Sequence, residues 1–242
     1  DKIANFAKNL KIYDNPDELL SISLGSAETT LLKLTSAYSS FVNGGKLIEP
    51  IFLDRIQDSE GITIFNSEKR ICEKCKEISY LGKDIPKIKD NFQKIFSEET
   101  AYQITSMLEG VVKRGTAKKL KDLNLDLAGK TGTTNDNTDA WFIGYTSNLV
   151  IGVYVGHDEP KTLGKYETGS KTAMPIFKSF IKNAVKKGDA RPFKVAKNIK
   201  FLVIDQKTGK KANFRSKTTI IEAFKKKDLT KNFSNNEELN LK

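Results

Sequence analysis

Two apolar runs, Ala140 to Tyr145 and Leu149 to Gly156, are separated only by Thr146-Ser-Asn148. Three residues cannot carry a crossover, so the two runs must pair as an antiparallel hairpin. A third strand-like run, Leu125 to Thr134, reaches Ala140 through another short link, which extends the hairpin to a three-strand meander. Helical patterns lie on both sides. Ser97 is placed to cap a helix with Glu98 and Glu99 in its first turn and Ile104, Met107, Leu108 and Val111 on one face. Lys113 and Arg114 fall in its last turn, with Gly115 beyond. After the meander a helix is expected from about Thr172 to Lys187, with Met174, Phe177, Ile181 and Val185 in one stripe and Gly188 as terminator. Upstream, Ser26 is the expected N-cap of a helix in which Leu31, Leu34, Tyr38, Phe41 and Val42 share a stripe ending at Gly44-Gly45.

The remaining segments read as additions. Pro50 to Phe65 alternates apolar and polar residues around Asp58-Ser-Glu-Gly61, the pattern of a hairpin and its turn. Residues 68–89 are polar and form an expected surface insertion. Beyond Arg191-Pro192, Ile199 to Asp205 reads as a strand, Gln206-Lys-Thr-Gly209 as its turn, and the end from Lys225 as a frayed basic tail. Two units are expected: 1–189, and a basic extension, 190–242, holding a short strand hairpin.

At 242 residues, with 38% apolar residues, 14 Phe and 7 Tyr, the chain can bury a core and has the composition of folded domains rather than disordered ones. The longest apolar run, Leu149 to Val155, is far short of the ~18 residues that span a bilayer, and the first residues hold no secretory h-region. The chain opens on Asp1, not Met, so sequence upstream is expected to have been removed or never included. The net charge of +11 is uneven. Lys178 to Lys242 holds 18 basic and 6 acidic residues, a net of +12, against 23 and 24 before it, a net of −1. That excess is mostly Lys, whereas base edges are read by the bidentate guanidinium of Arg, so the tail is a solvated face or a loose polyanion contact and not a sequence-specific nucleic-acid reader. Cys72 and Cys75 supply half of a tetrahedral zinc set that His157 alone cannot complete. A local disulfide in an oxidising compartment, inert thiols and, last, a metal remain open for the pair.

Chemistry concentrates in Ala128-Gly-Lys-Thr-Gly-Thr-Thr134. A phosphate-binding loop would need Gly where Asn124 stands and an apolar-periodic helix after Lys130, and the sequence has neither. The other reading is the Lys-Thr-Gly signature of penicillin-recognising serine acyltransferases. Its logic suits an edge strand: Lys130 supplies positive potential for a substrate carboxylate, the threonine hydroxyls donate to it, and Gly132 clears space for a substrate backbone.

The neighbouring residues sharpen that reading. Ala128-Gly-Lys-Thr-Gly-Thr-Thr-Asn135, Asp139-Ala-Trp-Phe-Ile-Gly-Tyr145 and Val153-Tyr-Val-Gly156 with Asp158 and Pro160 resemble the transpeptidase domain of class A penicillin-binding proteins. Leu24-Gly-Ser-Ala-Glu-Thr-Thr-Leu31 with Ala37-Tyr38 and Asn43-Gly-Gly45, Gly110-Val-Val with Arg114-Gly-Thr-Ala117, Ala173-Met-Pro175 and Ile221-Glu-Ala-Phe224 match as well, so the similarity spans nearly the whole chain. The resemblance implies an α+β fold, an antiparallel sheet flanked by helices as in serine β-lactamases and penicillin-binding transpeptidases, incomplete at its N-terminus. It implies a periplasmic peptidoglycan D,D-transpeptidase that cross-links cell-wall stem peptides through a serine acyl-enzyme, binds β-lactams, needs no cofactor or metal, and is held at the inner membrane by a part upstream of Asp1. By matching position, Lys130 would orient the substrate or antibiotic carboxylate, Thr131 and Thr133 would hydrogen-bond to it beside Gly132, and the backbone N–H of Thr133 would be one oxyanion donor.

The family's Ser-x-x-Lys and Ser-x-Asn walls belong before Leu24-Gly-Ser26, so they are expected in an upstream part of the same protein, and this chain is expected to be inactive alone. Ser179-Phe-Ile-Lys182 and Ser234-Asn-Asn236 imitate the two motifs but follow Lys130, the reverse of the family order. On its helix Ser179 lies about 150° from the apolar stripe, on the solvent side. Thr30-Leu-Leu-Lys33 reads as amphipathic helix, Trp141 and Phe142 as core, and His157 as a surface loop residue. The competing functional reading is a non-catalytic remnant or cell-wall-binding module.

Overall fold

The computed structural model describes residues 2–73, 87–186 and 191–232. In chain order its elements are helices α1 (Lys2–Asn9) and α2 (Leu31–Val42), then strand pairs β1 (Arg55–Gln57) with β2 (Thr63–Asn66) and β3 (Ile71–Glu73) with β4 (Lys87–Lys89). Helix α3 (Glu98–Arg114) precedes β5 (Ala128–Thr133), β6 (Ala140–Tyr145) and β7 (Val150–Val155). Helix α4 (Ala173–Ala184), β8 (Ile199–Asp205), β9 (Thr219–Lys225) and α5 (Lys226–Asn232) complete the chain.

The short links have the consequence expected of them. β5, β6 and β7 form one antiparallel sheet in that order, with Thr131 opposite Phe142 and Phe142 opposite Val153. The pleat sends alternate side chains to opposite faces. On the face of Ala128, Lys130 and Gly132 lie α2 and α3. A Cβ at Gly152 would stand 2.1 Å from Thr35 Oγ1 of α2, and the buried Tyr145 phenol shares a 3.1 Å hydrogen bond with Thr105 of α3. Burial pushes that phenol well above its ordinary pKa, an effect the Thr105 hydroxyl partly offsets. On the opposite face α4 contributes Ala173, Met174, Phe177 and Ile181 to a core shared with Leu120, Leu127 and Phe142, and the rings of Phe142 and Phe177 meet at 4.8 Å. The architecture is α+β, helices on both faces of an antiparallel sheet.

Several boundaries differ from expectation. Helix α2 is capped by Thr30, whose hydroxyl accepts the Lys33 N–H at 3.2 Å, and not by Ser26. Residues Leu20–Leu24 form a 3₁₀ turn closed by Gly25, and Ser26 is bound to that turn, its N–H donating to the Ser21 carbonyl at 3.3 Å. The helix does end where Gly44 and Gly45 take left-handed φ of +64° and +87°, a conformation that favours glycine. Ser97 caps α3 as expected, accepting the Thr100 N–H, but the buried face is Ala101, Thr105, Gly110 and Val112, while Met107 is 55% exposed. The reason is tertiary: α3 is held between the sheet and the β8–β9 hairpin. Gln103 donates to the Ala223 carbonyl, Arg114 pairs with Glu222, and Tyr102 meets Phe201 edge-on. Helices α1 and α5 were not foreseen, and α5 occupies residues expected to fray. The turn at Asp58–Gly61 joins β1 to β2, with Asp58 Oδ1 accepting the N–H groups of Glu60 and Ile62.

Candidate functional site

β5 is an edge strand. Its only sheet partner among the described residues is β6, so one side of Lys130-Thr-Gly-Thr133 is unpaired. Which amides face that side follows from the ladder. Thr134 N–H donates to the Asp139 carbonyl at 3.2 Å, and in an antiparallel pair successive residues point alternately toward and away from the partner. The Thr133 N–H, one residue earlier, therefore faces the open edge, as does the Thr131 carbonyl, which accepts Lys130 Nζ at 2.7 Å. Lys130 is exposed and makes no ion pair among the described residues. A Cβ at Gly132 would meet only Trp141, its Cβ at 3.0 Å, so the face above Gly132 is otherwise clear. The combination is an open shelf carrying an uncompensated cation and an outward amide donor, suited to holding an anion.

The two threonine hydroxyls lie on the other face from Lys130. Thr131 Oγ1 shares a 3.0 Å hydrogen bond with Thr116 Oγ1, and Thr133 Oγ1 accepts the Gly169 N–H at 3.1 Å. The structure thus brings Lys130, Gly132 and Trp141 together and gives the hydroxyls of Thr131 and Thr133 protein partners. Trp141 is half-buried against Tyr154, with ring centroids 4.7 Å apart, whereas Phe142 is fully buried. Cavities of about 920 and 420 Å³ lie elsewhere. The larger borders Val42, Tyr102 and Phe193, the smaller Tyr13, Leu32 and Leu47, and β5 lines neither.

Sequence reasoning assigned no role to the residues that hold the far end of β5. Asp139 Oδ1 accepts the Tyr154 hydroxyl at 2.7 Å, its Oδ2 the Thr138 hydroxyl at 3.0 Å, and its N–H donates to Thr134 Oγ1 at 2.8 Å. These donors, Tyr154 first, hold the Asp139 carboxyl below its ordinary pKa. The one sequence signal was an Asp just ahead of a strand, a residue type that bonds turn backbone. The imitations of family motifs stand apart from β5. Ser179 is exposed on α4, Thr30 is a cap, Lys33 pairs with Asp14 at 2.8 Å, and Ser234 lies outside the described residues. Lys130 sits in a strand with no helix opening behind it, so the phosphate-loop reading fails. His157 is exposed in a loop, Cys72 is disulfide-bonded, and Cys75 lies outside the described residues. Among the described residues no His, Cys, Asp and Glu group is arranged to hold a metal, and no helix is long and apolar enough to cross a membrane.

Comparison with known proteins decides the family. Residues 6–182 match the family described as penicillin binding protein transpeptidase domain. The chain belongs to the penicillin-binding protein transpeptidase family. It is similar to penicillin-binding protein 1A of Rickettsia felis, with 42% identity over 227 residues, covering 93% of this chain and 28% of that protein. Among solved structures it resembles penicillin-binding protein 1A from Haemophilus influenzae, with 30% identity and a TM-score of 0.74, over 90% of this chain and 36% of that one. It also resembles the penicillin-binding protein PonA1 of Mycobacterium tuberculosis, with 25% identity and a TM-score of 0.57, over 74% and 44% of the two chains. These 242 residues span only about three tenths of the curated relatives' length, so a transpeptidase-family chain is present here as one part of what those proteins contain.

Proposed function

We propose that this chain supplies the Lys-Thr-Gly wall of a periplasmic peptidoglycan D,D-transpeptidase. In this reading Lys130 attracts the terminal carboxylate of a stem peptide or the carboxylate of a β-lactam, Thr131 and Thr133 border that carboxylate, and Gly132 admits the substrate backbone. The Thr133 N–H receives the oxyanion that forms when a serine attacks the carbonyl. The nucleophile and the Ser-x-Asn wall come from sequence outside these 242 residues, which the small share of the relatives' length covered here supports. The observation that carries the reading is the open edge of β5, where an exposed ammonium and an outward amide lie along one strand in a member of this family.

The test is labelling with a tagged penicillin. The chain alone should remain unlabelled, the full-length protein should carry the adduct on a serine outside residues 1–242, and Lys130→Ala in the full-length protein should slow labelling about 10–100-fold, the scale of one charge-assisted contact. An adduct on Ser179, or a full-length protein that penicillin never acylates, overturns the proposal.

A further inference from the structure

The Thr133 amide can act as a donor only if its direction is kept, and the geometry points to Asp139 as the positioning residue that secures the end of β5 beside it. This inference rests on the function proposed above. Two peptide planes set the orientation of Thr133. The plane on its N-terminal side, which carries the Thr133 N–H itself, is held by the ladder to β6, where Gly132 faces Trp141, and it keeps its direction only while the end of β5 does not peel from β6 at the next bond. The plane on its C-terminal side contains the Thr134 N–H, which donates to the Asp139 carbonyl at 3.2 Å as the next bond along the ladder. The Thr134 side chain is drawn to the same residue, its Oγ1 accepting the Asp139 N–H at 2.8 Å and sharing a 2.7 Å hydrogen bond with Thr138 Oγ1.

The turn between them has two backbone ties, the Asn137 N–H donating to the Thr134 carbonyl at 3.2 Å and the Asn137 carbonyl accepting the Leu163 N–H at 2.8 Å. Asp136 and Asn137 adopt left-handed φ of 60° and 54°, a conformation that Asp and Asn accept more readily than other residues with a Cβ. Residues Asn135–Asn137 make only a short 3₁₀ turn. The end that re-enters β6 is tied by the Asp139 carboxylate, which takes the Thr138 hydroxyl on one oxygen and the Tyr154 hydroxyl of β7 on the other. The brace is closely fitted. A Cβ at Gly156 would fall 2.1 Å from Tyr154 Oη and 2.9 Å from Asp139 Oδ1, so glycine there leaves the pair its place. The chain of dependence runs from Tyr154 through Asp139 and Thr134 to the Thr133 amide. Because an oxyanion donor acts on charge that develops in the transition state, loosening it should slow acylation without weakening the initial complex, whose carboxylate Lys130 holds.

The experiment uses the full-length protein that carries this segment and separates the dissociation constant for penicillin from the acylation rate constant. Asp139→Asn and Tyr154→Phe should each lower the rate constant about tenfold, less than the roughly 10²–10³ that follows loss of a whole donor, with the dissociation constant within about twofold of wild type. The double variant should be no slower than the slower single variant, since both cut one brace. Tyr154→Phe removes a single hydroxyl and tests the idea even if Asp139→Asn folds poorly. Wild-type rate constants in both variants, or a fall in which dissociation constant and melting temperature move together with the rate, would overturn the inference while leaving the proposed function standing. A wild-type protein that is not acylated would overturn both.

Discussion

Gly169 shows what one residue can decide here. Its N–H donates to Thr133 Oγ1 and its carbonyl accepts the Met174 N–H at 2.8 Å, so it ties the back of β5 to the start of α4. A Cβ would stand 2.3 Å from the Trp141 carbonyl oxygen and 2.5 Å from that of Gly132, and backbone atoms in a sheet cannot swing aside as a side chain end can. Gly169→Ala is therefore expected to cost ~1–3 kcal/mol and lower the melting temperature of the full-length protein by several degrees. An unchanged melting curve would show that the segment moves away freely. Lys130 and Gly132, which the proposed function places at the substrate, could be singled out along the chain because their motif is contiguous. Gly169, Asp139 and Tyr154 could not, since each acts on residues that folding alone brings near.

The helix α3 shows the same division at the scale of an element. Its start was legible because a cap is local: Ser97, then Glu98 and Glu99. Its buried face was not, because the partners that cover it lie up to about 120 residues away, as in the Gln103 contact with Ala223. Glu99 joins cap and hairpin. The Ser97 hydroxyl first, then backbone N–H and the Asn198 amide at 3.1 Å, bring its carboxyl from the ordinary 4.5 to about 2. A carboxyl depressed in the folded state stabilises above its unfolded pKa, and that contribution is lost as pH falls from about 4.5 toward 2. The melting-temperature difference between wild type and Glu99→Gln should be present at about pH 6 and largely lost near pH 2, and it should be small because solvent screens the partly exposed group. A difference that does not vary with pH would rule out the charged contact.

For the molecule as a whole, the exposed side chains Leu19, Leu20, Leu24, Leu32 and Met107 are the telling feature. Full burial of such a side chain supplies ~1.5–3 kcal/mol, and each forgoes the part of it that matches its exposure. The 242-residue chain by itself should bind a hydrophobic dye and unfold broadly at modest temperature, whereas a sharp cooperative transition at high temperature would contradict this. Sequence alone determined what depends on neighbours along the chain. Links too short for anything but hairpins fixed the three-strand meander, turn residues set the β1–β2 hairpin and the end of α2, and the contiguous Lys-Thr-Gly motif marked the strand to which the proposed function assigns the substrate. Tertiary structure decided which edge of that strand is open, where the threonine hydroxyls find partners, which side of α3 is buried and which residue the Asp139 carboxylate meets. The reason is physical: periodicity reports that a segment has an apolar side, but only packing against distant segments selects what that side meets and which polar groups are left facing solvent.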